Sequence, residues 1–204
     1  MKRAVRRKAS GVRRPKANSV RLTPHALPRT ERRRGRLIFV FGGASSGKSE
    51  AALTLAGQAG PRAFLATGQA LDDEMLERIA RHRVSRAADW QTVEVPVDLA
   101  GWFEKHGGAY KTVVLDCLTL WLSNLTGRGT SGRQVTEMTA ELLRTIRADK
   151  ARVVVVSNEL GLGLVPAETT SRRFRDLAGS VNQQVAKAAD EVYFVLSGIP
   201  LRIK

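Results

Sequence analysis

A short apolar run, Leu37-Ile38-Phe39-Val40-Phe41, passes without a break into Gly42-Gly43-Ala44-Ser45-Ser46-Gly47-Lys48-Ser49, and an Ala/Leu-rich stretch follows from Glu50 to Gln58. This is the pattern G-x-x-x-x-G-K-[ST] in the order strand, loop, helix. The residue types match a chemical need. Glycines let backbone N–H groups close around phosphate oxygens, and the positive end of the following helix adds to the same field. In such a loop Lys48 reaches the β- and γ-phosphates of a nucleoside triphosphate, and the Ser49 hydroxyl binds Mg²⁺. The loop therefore demands a buried strand in front of it and a helix behind it, which restricts the fold before any other residue is considered.

Further apolar runs repeat the first. Ala63 to Thr67, Thr112 to Asp116, Arg152 to Ser157 (with four consecutive valines) and Val192 to Leu196 read as strands. Their runs are continuous rather than alternating, so they belong to a largely parallel sheet covered on both faces. Helical spacing separates them at Val135, Met138, Leu142 and Ile146, and again at Phe174, Leu177, Val181 and Ala188. The expected fold class is α/β: a P-loop NTPase-type doubly wound, mostly parallel sheet. Ser197-Gly198 is a turn signal, and Ile199 to Lys204 returns as a C-terminal antiparallel edge strand, where Pro200 is tolerated. Gly127 to Arg133 reads as a flexible loop.

The net charge of +15 suggests nucleic acid, but its distribution argues against that. Residues 1–36 hold fourteen Lys/Arg and one acid, Glu31, and so carry +13 of the total; the remainder carries +2. Residues 1–35 are expected to be a basic, disordered extension, and residues 36–204 a single P-loop domain. Attraction of the extension to nucleic acid or an anionic membrane is weighed against a plain unstructured tail, which is preferred. No run is long enough for a membrane span and no secretory apolar core is present. The one cysteine, Cys117, excludes an internal disulfide and a multi-cysteine metal site. A cytoplasmic enzyme is expected.

Two features add chemistry to the loop. Asp116 ends an apolar strand, where a carboxylate holds Mg²⁺ through water. Leu71-Asp72-Asp73-Glu74-Met75 opens a helix with acids in its first turn, which the dipole favours. On that helix Met75, Ile79 and His82 share a face. His82 is a boundary histidine or, beside Arg81, Arg83 and Arg86, a nucleophile toward phosphorus.

The blocks FGGASSGKSEAAL, ATGQALDDEMLERIARHR, DCLTLWLSNL, SNELGLGLVP, RRFRDLAGSVNQ and AADEVYFVLSGIPLRIK closely resemble the bifunctional adenosylcobinamide kinase / adenosylcobinamide-phosphate guanylyltransferase family of cobalamin biosynthesis. The resemblance runs from about Leu37 to Lys204. It implies two reactions: phosphorylation of adenosylcobinamide by a nucleoside triphosphate (ATP or GTP), then transfer of GMP from GTP to the new phosphate, giving adenosylcobinamide-GDP and pyrophosphate. It implies a guanylyl-histidine intermediate at His82, in the family motif I-x-x-H-[KR]. Many relatives carry two adjacent histidines there, and here the first is Arg81.

The resemblance further assigns nucleotide contacts to Gly42, Gly43, Ala44, Ser45, Ser46, Gly47, Lys48 and Ser49, to Thr67, Gly68 and Gln69, to Arg83, Val84, Ser85 and Arg86, and to Glu94 and Asp116. Lys48 is implied as catalytic beside His82. Ser49 and Asp116 are the implied Mg²⁺ residues. Gly68 stands where relatives often have Ser, Val84 and Ser85 depart from the K-D-G-R form, and Asp116 stands where Glu is common. The family suggests a homotrimer. Asn158 and Glu159, after the valine strand, are candidates to orient the acceptor hydroxyl, and Arg172, Arg173 and Arg175 form either a phosphate clamp or a solvated helix face. The alternatives are a P-loop kinase for another small molecule and a nucleic-acid-binding NTPase that uses the basic extension.

Overall fold

The computed structural model describes residues 35–70, 73, 77 and 89–204. The expected basic extension and the segment around His82, with Arg81, Arg83, Val84, Ser85 and Arg86, lie outside the described residues.

Seven strands form one sheet: β1 (Leu37–Gly42), β2 (Arg62–Ala66), β3 (Trp90–Glu94), β4 (Thr112–Asp116), β5 (Arg152–Asn158), β6 (Glu191–Leu196) and β7 (Ile199–Arg202). Their spatial order is β3-β2-β4-β5-β1-β6-β7. All neighbours are parallel except β6 and β7, which pair antiparallel with Leu196 opposite Ile199 and Val195 opposite Pro200. The expected mostly parallel sheet with an antiparallel C-terminal edge is the observed one, and Pro200 sits on that edge, where its missing N–H removes no interior bond.

Helices cover both faces. On one side α1 (Lys48–Ala56) buries Ala51, Ala52 and Ala56 against Ile38, Val40, Val154 and Val156. On the other side lie α2 (Leu99–His106), α3 (Leu118–Gly127), α4 (Gly132–Ala148) and α5 (Thr169–Ala188), packed on Leu37, Phe39, Val153 and Val155. Successive side chains of a strand point to opposite faces, so the four valines of β5 divide between the two layers and all four are buried.

Two elements escape a reading by period. Strand β3, Trp-Gln-Thr-Val-Glu, is a half-exposed edge with no apolar run. The eight residues of α2 are too short to establish a period. Helix α3, by contrast, buries Leu118, Trp121, Leu122 and Leu125 on one helical stripe spaced i, i+3, i+4 and i+7, with Thr119 buried beside it. The loop expected over residues 127–133 is shorter than its composition suggests. Helix α3 runs to Gly127 and α4 starts at Gly132 behind a capping box, in which Ser131 and Gln134 satisfy each other's backbone N–H groups.

Candidate active site

The loop Gly42 to Ser49 lies at the C-terminal end of β1, the end of a parallel sheet where ligands bind in open α/β folds. Steric limits fix two of its glycines. A Cβ on Gly42 would run into the carbonyl oxygen of Val195 on β6. Gly47 caps α1 at φ 90°, and a Cβ there would stand 3.1 Å from Cα of Gly198. Gly198, in the β6–β7 turn, donates its N–H to the Ser46 carbonyl at 2.8 Å. The C-terminal hairpin thus holds the back of the loop. Gly43, Ala44 and Ser45 are exposed on its open side, and the Ser46 hydroxyl is buried with no hydrogen-bond partner among the described residues.

Lys48 is nearly buried, and its ammonium donates to the Gly43 carbonyl, which lays the charge across the loop. Ser49 Oγ donates to Asp116 Oδ2 at 2.6 Å. The structure therefore brings together three residues singled out from the sequence: Lys48, Ser49 and Asp116. A hydroxyl and a carboxylate in contact beside a phosphate loop are the oxygen donors that Mg²⁺ takes. Among the described residues no group of three or more His, Cys, Asp or Glu side chains is placed to hold a metal.

Asp116 is held in place from behind. Thr67 is fully buried. Its hydroxyl donates to the Cys117 carbonyl at 2.7 Å and accepts from the Cys117 N–H at 2.8 Å, while the Thr67 N–H donates to the Asp116 carbonyl at 3.2 Å. Asn124 of α3 donates to the carbonyls of Thr67 and Pro96 at 2.8 and 2.9 Å. Thr119 accepts from the Asn158 N–H at 2.8 Å, and Asn182 of α5 donates to the Asn158 carbonyl at 3.0 Å. These polar residues tie the ends of β2, β4 and β5 together under the loop. Thr67, expected at the nucleotide, here clamps the backbone that carries Asp116. Burial, aided by the Asp116 carboxylate, pushes the Cys117 thiol up to about 12, so this cysteine stays a neutral core residue at neutral pH.

The remaining sites are more dispersed. Gly68 and Gln69 are half-buried just past β2, and Glu94 is exposed at the end of β3. Glu159 donates its N–H to the Gly42 carbonyl at 2.9 Å, but its carboxylate accepts from the Gly161 N–H at 2.6 Å and so closes its own turn. Arg172 donates to the Pro166 carbonyl and to Thr169 Oγ1, both at 3.0 Å, and fastens the start of α5. Arg175 pairs with Asp176 at 3.3 Å. His82, Arg83, Val84, Ser85 and Arg86 lie outside the described residues. The clamps at Thr67, Thr119, Asn124 and Asn182 were not legible as such; each is a polar residue on an element whose packing sets its partner.

The fold and the cluster of Lys48, Ser49 and Asp116 define a P-loop protein equipped for nucleoside triphosphates. The family model described as cobinamide kinase / cobinamide phosphate guanyltransferase matches residues 38–203, and the chain belongs to that family. It is 42% identical over 167 residues to the bifunctional adenosylcobalamin biosynthesis protein CobP of Pseudomonas aeruginosa, covering 81% of this chain and 96% of that one. It is 40% identical over 180 residues to the protein of the same description, CobU, of Escherichia coli, covering 82% and 99%. CobU of Salmonella typhimurium is 38% identical over 180 residues, with the same coverage. Among solved structures, a KaiC-like protein from Pyrococcus horikoshii aligns at a TM-score of 0.45 with 12% identity, over 79% of this chain and 71% of that one.

Proposed function

We propose that this protein phosphorylates adenosylcobinamide with a nucleoside triphosphate and then transfers GMP from GTP to adenosylcobinamide phosphate, giving adenosylcobinamide-GDP. The observation that carries this reading is the Ser49–Asp116 contact beside Lys48, in a chain whose family is named for both steps. In the first step the loop amides and Lys48 hold the triphosphate and offset charge on the transferring γ-phosphoryl group. Bound Mg²⁺ would supply charge neutralisation on the phosphate oxygens, and Ser49 and Asp116 are the residues that would hold it.

In the second step an imidazole nitrogen of His82 attacks the α-phosphorus of GTP. A P–N bond forms, the bond to the bridging oxygen breaks, and pyrophosphate leaves into the same loop. A phosphate oxygen of the acceptor then attacks that phosphorus, the P–N bond breaks, and the imidazole is released. A homotrimeric assembly and a cytoplasmic location belong to the same reading. Among the described residues no helix is long and apolar enough to cross a membrane. Residues 1–35 take no part in turnover, and their removal is expected to leave both rates unchanged.

Incubation with α-labelled GTP tests the proposal. The expected result is an acid-labile, alkali-stable label on the protein that is chased into product by adenosylcobinamide phosphate and is missing in His82→Ala. A label that persists in His82→Ala overturns the histidyl intermediate, and no product from adenosylcobinamide overturns the substrate.

A further inference from the structure

Immediately past β5 the chain reads Leu160-Gly161-Leu162-Gly163-Leu164-Val165-Pro166. Three large aliphatic side chains of this loop stand in solvent: Leu162 is 79% exposed, Leu164 96% and Val165 68%. Both ends of the loop line a groove of about 470 Å³, whose walls are Leu160, Pro166, Thr170, Ser171, Phe174 and Arg175. Exposed aliphatic clusters of this kind mark binding surfaces.

Its place in the fold narrows what binds. Strand β5 lies inside the sheet, between β4 and β1. The Glu159 N–H is bonded to the Gly42 carbonyl at the root of the phosphate loop, and the aliphatic loop starts one residue, about 4 Å of chain, beyond that bond. The Glu159 carboxylate accepts from the Gly161 N–H and closes the turn at the start of the loop. Among the described residues the other large exposed aliphatic side chains, Leu196, Ile199, Leu201 and Ile203, belong to the β6–β7 hairpin and its end. There they flank a strand edge with unpaired backbone groups, which suits another polypeptide. The β5 loop offers no such edge. It offers apolar side chains separated by glycines, a groove, and one cation at the groove wall.

We infer that this loop and groove seat the corrin ring of the acceptor, with Leu162, Leu164 and Val165 against its methyl-bearing periphery and Phe174 at the groove wall. The inference rests on the functional reading above and deepens it. The acceptor hydroxyl sits at the end of a short arm on the ring, and it must meet the γ-phosphate at the loop. The ring therefore lies within an arm's length of Gly42 to Ser49, and among the described residues the aliphatic loop is the exposed apolar surface whose chain leaves directly from the bond to the Gly42 carbonyl. Arg175, held only loosely by a largely exposed Asp176, faces an acceptor that turns anionic after the first step.

Steady-state kinetics of the full-length protein with adenosylcobinamide and γ-labelled ATP test the inference. Leu162→Ser/Leu164→Ser is expected to raise KM for adenosylcobinamide by about tenfold or more. KM for ATP and kcat at saturating acceptor stay within about twofold, because neither side chain supports the core. Leu164→Met, which keeps the apolar contact, retains the parent KM, and Leu164→Ser alone shows the same direction as the double variant. An unmoved acceptor KM in the double variant overturns the inference. So does a KM change accompanied by a lower oligomeric mass, which assigns the loop to a subunit interface. Absence of any turnover by the unmodified protein overturns the functional reading itself, whereas turnover with an unmoved KM in the variant overturns only the corrin seat.

Discussion

Ser49 Oγ and Asp116 Oδ2 stand 2.6 Å apart although 67 positions separate them in the chain. Ser49 opens α1 behind β1, and β1 is not a neighbour of the strand that carries Asp116: β5 lies between β1 and β4, so those strand axes are about 10 Å apart. The gap closes because α1 starts above the end of β5 and turns Ser49 back toward β4, while Thr67 holds the Asp116–Cys117 backbone in place. The Mg²⁺ site proposed for this pair would depend on both partners, and its removal would affect every reaction that uses a triphosphate at this loop. Asp116→Asn keeps the size and removes the charge. It is expected to lower kcat for phosphoryl transfer by about 100-fold and to raise the Mg²⁺ concentration needed for half-maximal rate. Magnesium titration of the two proteins at fixed nucleotide measures this, and an unchanged midpoint assigns the metal elsewhere.

Thr67 is a clamp that makes a separate prediction. Its hydroxyl serves both the N–H and the C=O of Cys117 in a fully buried place. Thr67→Val preserves shape and leaves two buried backbone groups without that partner, at a cost of about 1–3 kcal/mol. Thr67→Ser keeps the hydroxyl and is expected to lose less than half as much. Urea unfolding of the three proteins gives the order parent, Ser, Val. A Ser variant less stable than the Val variant would show that the methyl group, not the hydroxyl, is what matters.

Much of this arrangement is visible in the sequence, for identifiable reasons. The loop Gly42 to Ser49 is local, and its strand and helix are adjacent in the chain. The valines of β5 report burial on two faces because nothing else explains four in a row. The C-terminal edge is legible because Pro200 excludes an interior strand. What stays hidden depends on contacts distant in sequence. Thr67 and Asn124 are 57 positions apart, and no period reveals that one supports the other. Strand β3 is defined by its neighbour β2, with the Arg62 guanidinium over the Trp90 ring at 4.9 Å, not by its own polar composition. Lys48, Ser49 and Asp116 are joined by the structure, whereas His82 stands on the sequence alone.

Asp190 gives a prediction about acid stability. It sits just before β6 and accepts from the Leu37 N–H at 2.7 Å and from Arg147 at 2.7 and 3.0 Å. Partial burial works to raise its carboxyl; the hydrogen bonds from Arg147 and Leu37 and the charges of Arg147 and Arg36 outweigh it and hold the group below its ordinary value. A depressed carboxylate stabilises the fold above the unfolded-state value, near about pH 4, and that stabilisation is lost as pH falls through the lower folded-state value. The side chain is 42% exposed, so solvent screening limits the effect to about 1 kcal/mol. Asp190→Asn is therefore expected to be less stable than the parent at pH 7 by about that amount, with a smaller difference at pH 3. Urea midpoints at the two pH values decide it, and a difference that persists undiminished in acid would assign the loss to shape rather than charge.

Gly47 and Gly198 allow the loop and the hairpin to be separated experimentally. Both adopt left-handed backbone, at φ 90° and 84°, where a side chain costs about 1–2 kcal/mol. Their surroundings differ. A Cβ on Gly47 meets the Gly198 Cα at 3.1 Å, whereas a Cβ on Gly198 meets nothing within 4 Å. Gly47→Ala must therefore push the loop and the hairpin apart, and the N–H groups that open α1 move with it. It is expected to lower Tm by roughly 3–8 °C and to weaken nucleotide binding by about tenfold or more. Gly198→Ala carries only the backbone strain, so Tm falls by a similar or smaller amount while nucleotide affinity stays within about twofold. Calorimetric binding of a non-hydrolysable triphosphate beside thermal unfolding distinguishes the two. If both variants weaken the nucleotide alike, the hairpin tip does more than brace the loop, and the N–H that Gly198 gives to Ser46 is itself part of the phosphate site.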